Sequence, residues 1–596
     1  MDDITTDDNK STFDPATVPY LRQADSIFRN GFEDEEMKNI FLENFFEEIV
    51  GSEVKLSFMK SSSFILEQFV GVATPKHLLQ LLKAYNDDII EVAGSQQASH
   101  VVQKTLKQIV LLRNNDPDNS TWSDIDATLH EISSLICEDI PSWLTHVHQS
   151  HVARSMFSTL GGVILATKDS GNDVIIPTLP QPSMTSLKVF VDEVCKLKRK
   201  NLVEILTNQS GTPSVSILLR VCNIRSEALI RSLCGKILKA CDEGTLLILS
   251  KDRTGSHLVE SLVEFGDVET CRKIYEIIST DEEKLVELAC HPVANFVVQK
   301  LIENDKIEFD GIFSILSKEM LKIIHAGRPG VVVKLGEGCV RSPTTQSTFV
   351  TMVMKAFNCD DDEKKKLIVP LVASLSSYDK MFSKTFDPDK PPTFKVAYHG
   401  SLLLQTILKF DKIFVFVKSF LEIPSSHTVT LACSAPGSHL VDAFFSSEKV
   451  RAKRKLKWIE KTKDVFFKIA MDKYGSRVLE NIWRQSSIKM KIIIAESLVP
   501  HESSLTNDQH GKHIFRKFAI RQFHQRNEDW KSFQVKIEKK RKMFQDFLPG
   551  KTIVDCDVII SKYFIVLLQM NNKRRKKKFN DVIDDVTDHS IMTSSI

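Results

Sequence analysis

The sequence predicts an all-α fold, a solenoid of about eleven stacked helical repeats with a continuous concave face. Two observations predict it. Apolar residues recur three and four positions apart in segments such as VVQKTLKQIVLL from Val101 and HLVESLVEF from His257, which is the period of an amphipathic helix. A short motif also returns along the chain: its starts at Ser63 and Ser99 are 36 residues apart, and those at Ser256 and Asn295 are 39 apart. Spacing of this kind is typical of repeat proteins.

The repeated motif is a small residue, a polar residue, a polar or ring-bearing residue, two aliphatic residues and a further polar residue. Longer gaps of 51, 63 and 71 residues separate some starts and predict insertions, of which the last holds the proline-rich stretch FDPDKPPTF. A helical pair of this length cannot bury its apolar face alone, so stacked copies must share one core. The eleven starts are Ser63, Ser99, Ser150, Pro213, Ser256, Asn295, Gly330, Ser401, Ser438, Ser476 and Lys512.

Charge is unevenly distributed, although the formal net charge is only +2. We expect residues 1–35 to be an acidic segment without a fixed fold, 36–530 to form the solenoid with its insertions, and 531–596 to be a basic extension ending in a short acidic tail. The basic runs are RAKRKLK from Arg451, KIEKKRK from Lys536 and KRRKKK from Lys573. The last is typical of a nuclear-import signal or of nonspecific phosphate contact.

Several classes of function lack support in the sequence. The eleven cysteines include no CxxC pair, so neither a zinc site nor a redox site is indicated. No phosphate-binding loop, nucleophile elbow or HExxH motif occurs, and no apolar run approaches the length of a membrane helix. We expect a non-enzymatic intracellular protein with no catalytic residue, no metal, no cofactor and no membrane partner.

Within each motif the aliphatic pair is expected to be core, whereas the polar positions are expected to face outward along the concave surface. We name these positions the first edge residue, the stacker and the second edge residue; the two edge residues are four apart, one helical turn. Stackers carry a flat ring or a guanidinium, which can lie between successive bases of single-stranded nucleic acid. They are Phe64, His100, His151, His257, Phe296, His439, Arg477 and His513.

The segments GSHLVES, ANFVVQK, GSRVLEN and ASHVVQK resemble the second helix of Pumilio repeats, which bind single-stranded RNA at one base per repeat. The resemblance extends over about residues 40 to 525. The weak units, the large insertions, the stretches HQSHVARSMFSTLGGVIL and HAGRPGVVVKL, and the lysine-rich C-terminus are similar to the nucleolar protein nine branch of that family. This resemblance implies a C-shaped solenoid in the nucleolus that binds precursor small-subunit ribosomal RNA and supports its processing and assembly.

The resemblance also implies a set of RNA-binding residues and a base code. Asn295 with Gln299 resembles a uracil-reading pair, Ser256 with Glu260 a guanine pair, and Ser99 with Gln103 an adenine-type pair. Ser476 with Glu480 and Ser63 with Glu67 resemble guanine pairs, and Ser401 with Gln405 an adenine-type pair. The remaining candidates are Ser150 with Arg154, Ser438 with Asp442, and Lys512 with Arg516, together with the eight stackers.

Some units depart from this code. Pro213 with Ile217 and Gly330 with Lys334 cannot read a base edge in this way, and Leu402 is no stacker. Recognition is therefore expected to combine a few bases with backbone and shape. Expected partners are single-stranded or partly structured RNA and pre-ribosomal assembly proteins, with the chain acting as a monomer. The alternatives are a cytoplasmic Pumilio-type regulator of messenger RNA and a HEAT- or armadillo-like protein scaffold.

Overall fold

The computed structural model describes residues 17–166, 172–381 and 395–547, and within these ranges it is almost entirely helical. The described residues divide into two compact units, the first within 17–360 together with 410–412, and the second within 361–409 together with 413–547. The KRRKKK run and the acidic C-terminal tail lie outside the described residues, as do the first acidic residues of the chain.

The first unit contains seven of the predicted motifs, each near the start of a helix that we call a recognition helix. Single-turn 3₁₀ helices lie at Ser317–Glu319 and Pro343–Thr345. The elements are α1 (Thr17–Asn30), α2 (Glu35–Glu48), α3 (Glu53–Phe58), α4 (Lys60–Val70), α5 (Pro75–Asn86), α6 (Ile89–Gly94), α7 (Ala98–Asn115), α8 (Trp122–Glu138), α9 (Ile140–Thr145), α10 (Gln149–Leu160), β1 (Val163–Ile164), β2 (Val174–Ile175), α11 (Gln181–Lys196), α12 (Arg199–Thr207), α13 (Gly211–Arg225), α14 (Glu227–Ala240), α15 (Glu243–Lys251), α16 (Gly255–Phe265), α17 (Val268–Ile278), α18 (Glu282–Cys290), α19 (Asn295–Glu303), α20 (Phe309–Leu316), α21 (Met320–His325), α22 (Pro329–Arg341) and α23 (Gln346–Ala356).

The second unit contains the other four motifs. Its 3₁₀ helices are Lys364–Leu367, Lys463–Val465 and Val499–His501. Its α-helices are α24 (Ile368–Ser374), α25 (Tyr378–Met381), α26 (Tyr398–Ile407), α27 (Phe414–Glu422), α28 (Ser425–Ala432), α29 (Ala435–Ser446), α30 (Ala452–Thr462), α31 (Phe466–Ala470), α32 (Lys473–Gln485), α33 (Ile488–Leu498), α34 (Glu502–Asn507), α35 (Gly511–Lys517), α36 (Ile520–Gln525) and α37 (Asn527–Phe547).

In both units the recognition helices form one layer. In the first unit each of α4, α7, α10, α13, α16, α19 and α22 packs against the next, and in the second unit so do α26, α29, α32 and α35. The outer helices form a second layer, in which α5, α8, α11, α14 and α17 pack consecutively, as do α27, α30, α33 and α36. The predicted all-α repeat fold is thus confirmed.

Each repeat has three helices rather than the predicted pair, because a short helix precedes the recognition helix. Examples are α6, α9 and α18, each of which packs against the recognition helix that follows it. A helix of six to nine residues makes about two turns, so it has too few apolar positions to show a period in the sequence.

The core lies between the two layers, as the aliphatic pairs predict. In α16 the side chains of Leu258, Val259, Leu262 and Val263 are fully buried. Full burial of a side chain of this kind stabilises a fold by about 1.5–3 kcal/mol. Because most recognition helices contribute such a pair, apolar burial is the main force that holds successive repeats together.

The 63-residue gap after Ser150 contains a small hairpin at the end of α10. Strands β1 and β2 pair antiparallel, with Val163 opposite Ile175. The guanidinium of Arg225 in α13 holds the hairpin: its Nη2 donates to the carbonyls of Gly162 at 3.0 Å and Ile176 at 2.9 Å, and its Nε donates to that of Gly161. Gly162 has a φ of +57°, which favours glycine.

Two boundary expectations need correction. Residues 17–30 form helix α1, which packs against α4, although they belong to the acidic segment expected to lack a fixed fold. The expected boundary after residue 530 falls inside α37, where the Gln534 side chain is buried against Lys491 of α33. As to membrane spans, none of the described helices is by itself both long and apolar enough to cross a bilayer; a bent pair, Glu282–Cys290 with Asn295–Glu303, meets the length and composition test together.

Candidate nucleic-acid interface

The turn that leads into each recognition helix explains the small residue of the motif. In α16 the Asp252 carboxylate accepts hydrogen bonds from the backbone N–H groups of Thr254, at 2.9 Å, and Gly255, at 2.8 Å. A Cβ on Gly255 would lie 2.6 Å from the carbonyl oxygen of Leu249 in the preceding short helix. The two helices therefore meet backbone to backbone. The same approach, to the carbonyl oxygen six residues earlier, occurs at Gly211, Gly437, Gly475 and Gly511.

The first edge residues do not face outward, so this part of the prediction is wrong. Ser256 is 2% exposed, and its hydroxyl donates to the carbonyl of Arg253. In this first helical turn neighbouring recognition helices approach closely: the Ser401 hydroxyl of α26 donates to the carbonyl of Pro436 in α29. Five other first edge serines are buried and, like Ser256, donate their hydroxyl to the carbonyl three residues earlier: Ser63, Ser99, Ser150, Ser438 and Ser476.

Asn295 is buried in the same way. Its Nδ2 donates to the carbonyls of His291 at 2.8 Å and Pro292 at 3.0 Å, and its Oδ1 accepts from Nε2 of Gln299 at 2.9 Å. Both donor hydrogens of Asn295 are thus used within the turn. The free donor and acceptor capacity of this predicted uracil pair lies on Gln299.

The stackers, by contrast, are all exposed, as the outward-facing prediction requires. Phe296 is 52% exposed and Phe64 is 56% exposed, although both are large apolar side chains. The other six, all exposed, are His100, His151, His257, His439, Arg477 and His513. An exposed flat group on eight of the eleven recognition helices forms a surface on which bases could stack; that role itself stays a prediction.

The second edge residues are half-buried beside the stackers. In α16 the Nδ1 of His257 lies 3.4 Å from Oε1 of Glu260. Gln103 donates its Nε2 to the carbonyl of Ser99, and Arg154 donates its Nε to that of Ser150, both at 3.1 Å. The half-buried members of the predicted set are Glu67, Gln103, Arg154, Glu260, Gln299, Asp442 and Glu480, whereas Arg516 is exposed and the first edge residue of its repeat, Lys512, is half-buried.

Three of the second edge carboxyls have raised pKa values. Burial is the main cause for Glu67, Glu260 and Asp442, and nearby cations or donors oppose it. For Glu260 the opposing charges are those of His257 and Lys300. A half-desolvated carboxylate is a strong acceptor, so these groups suit the N–H donors of a base better than solvated ones would.

The departing repeats have closed or apolar edges. Lys334 of α22 is held in ion pairs with Glu303 of α19 and, at 2.8 Å, with Glu337. Its ammonium is therefore occupied by protein carboxylates. In α13 the second edge position is Ile217, which has no hydrogen-bonding group.

Two depressions flank this apolar position. One, of about 300 Å³, is lined by Gln103, Lys107, His151 and Arg154 and by β1 of the hairpin. The hairpin thus forms a wall beside predicted site residues of the second and third repeats. Sequence reasoning missed Lys107, although it lies one helical turn after Gln103 on the same face.

The second depression, of about 620 Å³, lies where α13, α16 and α19 meet. It is lined by Arg220, Asn223 and Lys300 as well as by the predicted residues Arg154 and Glu260. Arg220 lies one turn after Ile217, so helical periodicity could have found it. The cationic and amide groups here suit phosphate and sugar contacts more than base reading.

Comparison with known proteins identifies the family. The family model described as "NOP9-like PUF repeat domain" matches residues 51–513, which is most of the chain. The chain belongs to the NOP9-like PUF repeat family. It is similar to Nucleolar protein 9 of Homo sapiens, with 24% identity over 587 residues covering 91% of this chain and 92% of the relative. It is also similar to Pumilio homolog 23 of Arabidopsis thaliana, with 22% identity covering 90% of this chain and 75% of the relative.

The fold is shared with solved structures. The structure of APUM23 with GGAGUUGACGG superposes with a TM-score of 0.76 at 22% identity, covering 88% of this chain and 99% of that one. A variant of APUM23 with its insert region deleted, with GGAAUUGACGG, superposes with a TM-score of 0.75 at 22% identity, covering 88% and 99%.

Family membership confirms the broad expectations. The NOP9-like PUF proteins and the solved relatives are RNA-binding Pumilio-type proteins. The chain is a nucleolar RNA-binding protein of ribosome biogenesis. This sets aside the cytoplasmic messenger-RNA regulator and the HEAT- or armadillo-like scaffold.

Proposed function

We propose that this NOP9-like chain binds the precursor of small-subunit ribosomal RNA and supports its processing and the assembly of the small ribosomal subunit. One observation carries the proposal: successive packed recognition helices present an exposed flat side chain beside a half-buried hydrogen-bonding one. A run of unpaired bases can stack on the first and hydrogen-bond to the second.

Base reading falls mainly on the second edge residues, because the first edge residues are buried. Glu260 accepts from the two N–H groups of a guanine, and Gln299 pairs with a uracil through its free oxygen and its second amide hydrogen. Each buried Ser or Asn fixes the start of its recognition helix and so positions the reading side chain. Glu480 and Glu67 take the role of Glu260 in their own repeats, and Gln103 reads an adenine.

The basic groups supply phosphate contacts. Arg154, Lys107 and Arg220 line the depressions where Ile217 interrupts base reading. In the last repeat the exposed Arg516 and His513 lie at the same face. Backbone neutralisation of this kind makes binding fall steeply as salt rises. We further propose that the chain acts as a monomer and meets pre-ribosomal assembly proteins on the RNA.

The test is crosslinking in cells followed by sequencing of the bound RNA. We expect reads concentrated on the precursor of small-subunit ribosomal RNA, in a single-stranded or partly structured region. A matched strain carries Asn295→Ala, Phe296→Ala and Gln299→Ala together, and its reads should fall at that region. Enrichment on the 3′ regions of messenger RNA would overturn the proposal.

A further inference from the structure

Four second edge residues are carboxylates, and each is followed by a donor at one fixed place in the next repeat. We call Glu67, Glu260, Asp442 and Glu480 the reader carboxylates. This position directly follows the second edge residue of the next repeat in sequence. It is occupied by Lys104 for Glu67, Lys300 for Glu260, Asn481 for Asp442 and Lys517 for Glu480, and we call these four residues the neighbour donors.

The other repeats have no amide or ammonium donor at this position. Where the second edge residue is an amide, a cation or isoleucine, the corresponding residue of the next repeat is Ser, Thr, Ala or Leu. Lysine and arginine together are 79 of the 596 residues, so composition alone does not explain this difference. The residues at the place in these repeats are Ser155, Leu218, Ser261, Leu335, Thr406 and Ala443.

In the second unit the neighbour donors contact the reader carboxylates directly. Lys517 Nζ lies 2.8 Å from Oε2 of Glu480, and Asn481 Nδ2 donates to Oδ1 of Asp442 at 2.8 Å. Each contact uses one lone pair of one carboxylate oxygen. Because an ionised carboxylate offers about four lone-pair positions, both oxygens can still accept from a ligand.

In the first unit the neighbour donors act over a longer distance. Lys300 pairs with Glu264, one turn after Glu260, at 3.3 Å, and its positive charge opposes the effect of burial on the Glu260 pKa. The charges of His100 and, after it, Lys104 oppose the same effect on Glu67. A Cβ on Gly71, at the C-terminus of the helix that carries Glu67, would lie 3.5 Å from Nζ of Lys104.

These contacts matter because guanine offers two N–H donors on its pairing edge, so its reader must be an acceptor on both oxygens. Burial favours the protonated carboxyl, whose O–H would then face an N–H donor of the guanine. A neighbouring ammonium or amide hydrogen favours the ionised form and limits the carboxylate to one orientation.

We propose that the neighbour donors are positioning residues for guanine preference, each acting through the reader carboxylate of the preceding repeat. The proposal rests on the base-reading function proposed above. It adds a dependence between repeats: the base preference of one repeat is set partly by a side chain of the next, which itself touches no base.

The test is selection of RNA from a randomised pool by the full chain, with base frequencies read by sequencing at several pH values. Glu480→Gln first identifies the nucleotide of that repeat, because its guanine preference should disappear. Lys517→Met should lower guanine-over-adenine discrimination there about two- to fivefold, as expected for a partly exposed pair. Lys517→Arg should restore the discrimination, and Lys418→Met, a charge loss on the outer helix α27, should leave it unchanged. At the nucleotide read by Glu260, whose pKa burial raises and the Lys300 charge lowers, Lys300→Met should raise the pH at which discrimination fails.

Asn481→Ala, read at the nucleotide that Asp442→Asn identifies, gives a second and uncharged test. If Glu480→Gln abolishes a guanine preference while Lys517→Met leaves that preference unchanged, the positioning role is wrong and base reading stands. If neither Glu480→Gln nor Asp442→Asn alters any base frequency, base reading by these repeats fails, and the positioning role fails with it.

Discussion

Replacing Phe296 with alanine tests whether an exposed stacker holds a base. The ring is 52% exposed in the structure, so its free half is available to a ligand while its other half packs on the protein. A base stacked on an aromatic ring contributes about 1–3 kcal/mol, so the variant should bind its RNA about 5- to 150-fold more weakly. Loss of the packed half should cost about 1 kcal/mol of folding stability, since full burial of Phe is worth about 1.5–3 kcal/mol.

The assay is a double-mutant cycle measured by fluorescence anisotropy. Phe296→Ala is combined with removal of the base at each nucleotide of the bound RNA in turn. At the stacked nucleotide the two changes remove the same contact, so together they should cost about as much as one alone, a coupling of about 1–3 kcal/mol. Phe414→Ala is the control, because that ring is 63% exposed but lies on the outer helix α27. Additive costs at every nucleotide, within about 0.5 kcal/mol, would refute the stacking role.

Three further changes test the interface and its frame. Glu260→Gln should abolish one guanine preference yet raise the melting temperature at pH 7, because burial holds the Glu260 pKa above its usual 4.5 and the ionised group therefore costs stability above that pKa. For the same reason the guanine preference of the parent protein should fade on acidification at a higher pH than an exposed glutamate would give. An unchanged selection profile in the variant would count against the assignment. Arg225→Ala removes three hydrogen bonds to carbonyls of the hairpin. In hydrogen-exchange mass spectrometry the backbone amide of Ile176 should then exchange at least about 10-fold faster, which corresponds to about 1.4 kcal/mol. Unaltered exchange would show that other contacts hold the hairpin. Gly475→Ala places a Cβ about 2.4 Å from a carbonyl oxygen, so a denaturant titration should show a loss of about 1–3 kcal/mol in folding stability. Gly235→Ala is the control: its Cβ would meet nothing within 4 Å, and it should stabilise the fold by about 0.5–1 kcal/mol. Equal effects of the two changes would contradict the close approach of the helices.

The repeat architecture could be predicted because it depends on the local periodicity of the sequence. The aliphatic pair Leu258 and Val259 shows which side of α16 is buried, and the polar His257 directly before this pair lies off that side and is exposed. Both follow from the geometry of a single helix. The short helices escaped prediction because they are too brief to show a period, as α6 and α9 illustrate.

The candidate site could be predicted only in part. The stackers and second edge residues lie where the motif places them, but the burial of Ser256 and Asn295 was not foreseen. Their exposure depends on how closely the next recognition helix approaches, and that distance is set by packing between repeats. The same applies to Lys107 and Arg220, which belong to the site because the hairpin and the apolar Ile217 open depressions beside them.

By itself, the sequence determined the number of repeats, the buried stripe of each recognition helix, the exposed ring in most of them and, through the resemblance of its motifs, the family. Only the tertiary structure decided which polar groups remain free to meet a ligand. Periodicity describes one helix at a time, whereas the contacts of Glu480 with Lys517 and of Asp442 with Asn481 join residues 37 and 39 positions apart. Such contacts exist only once neighbouring repeats are stacked, because stacking sets which side chains lie within hydrogen-bonding distance.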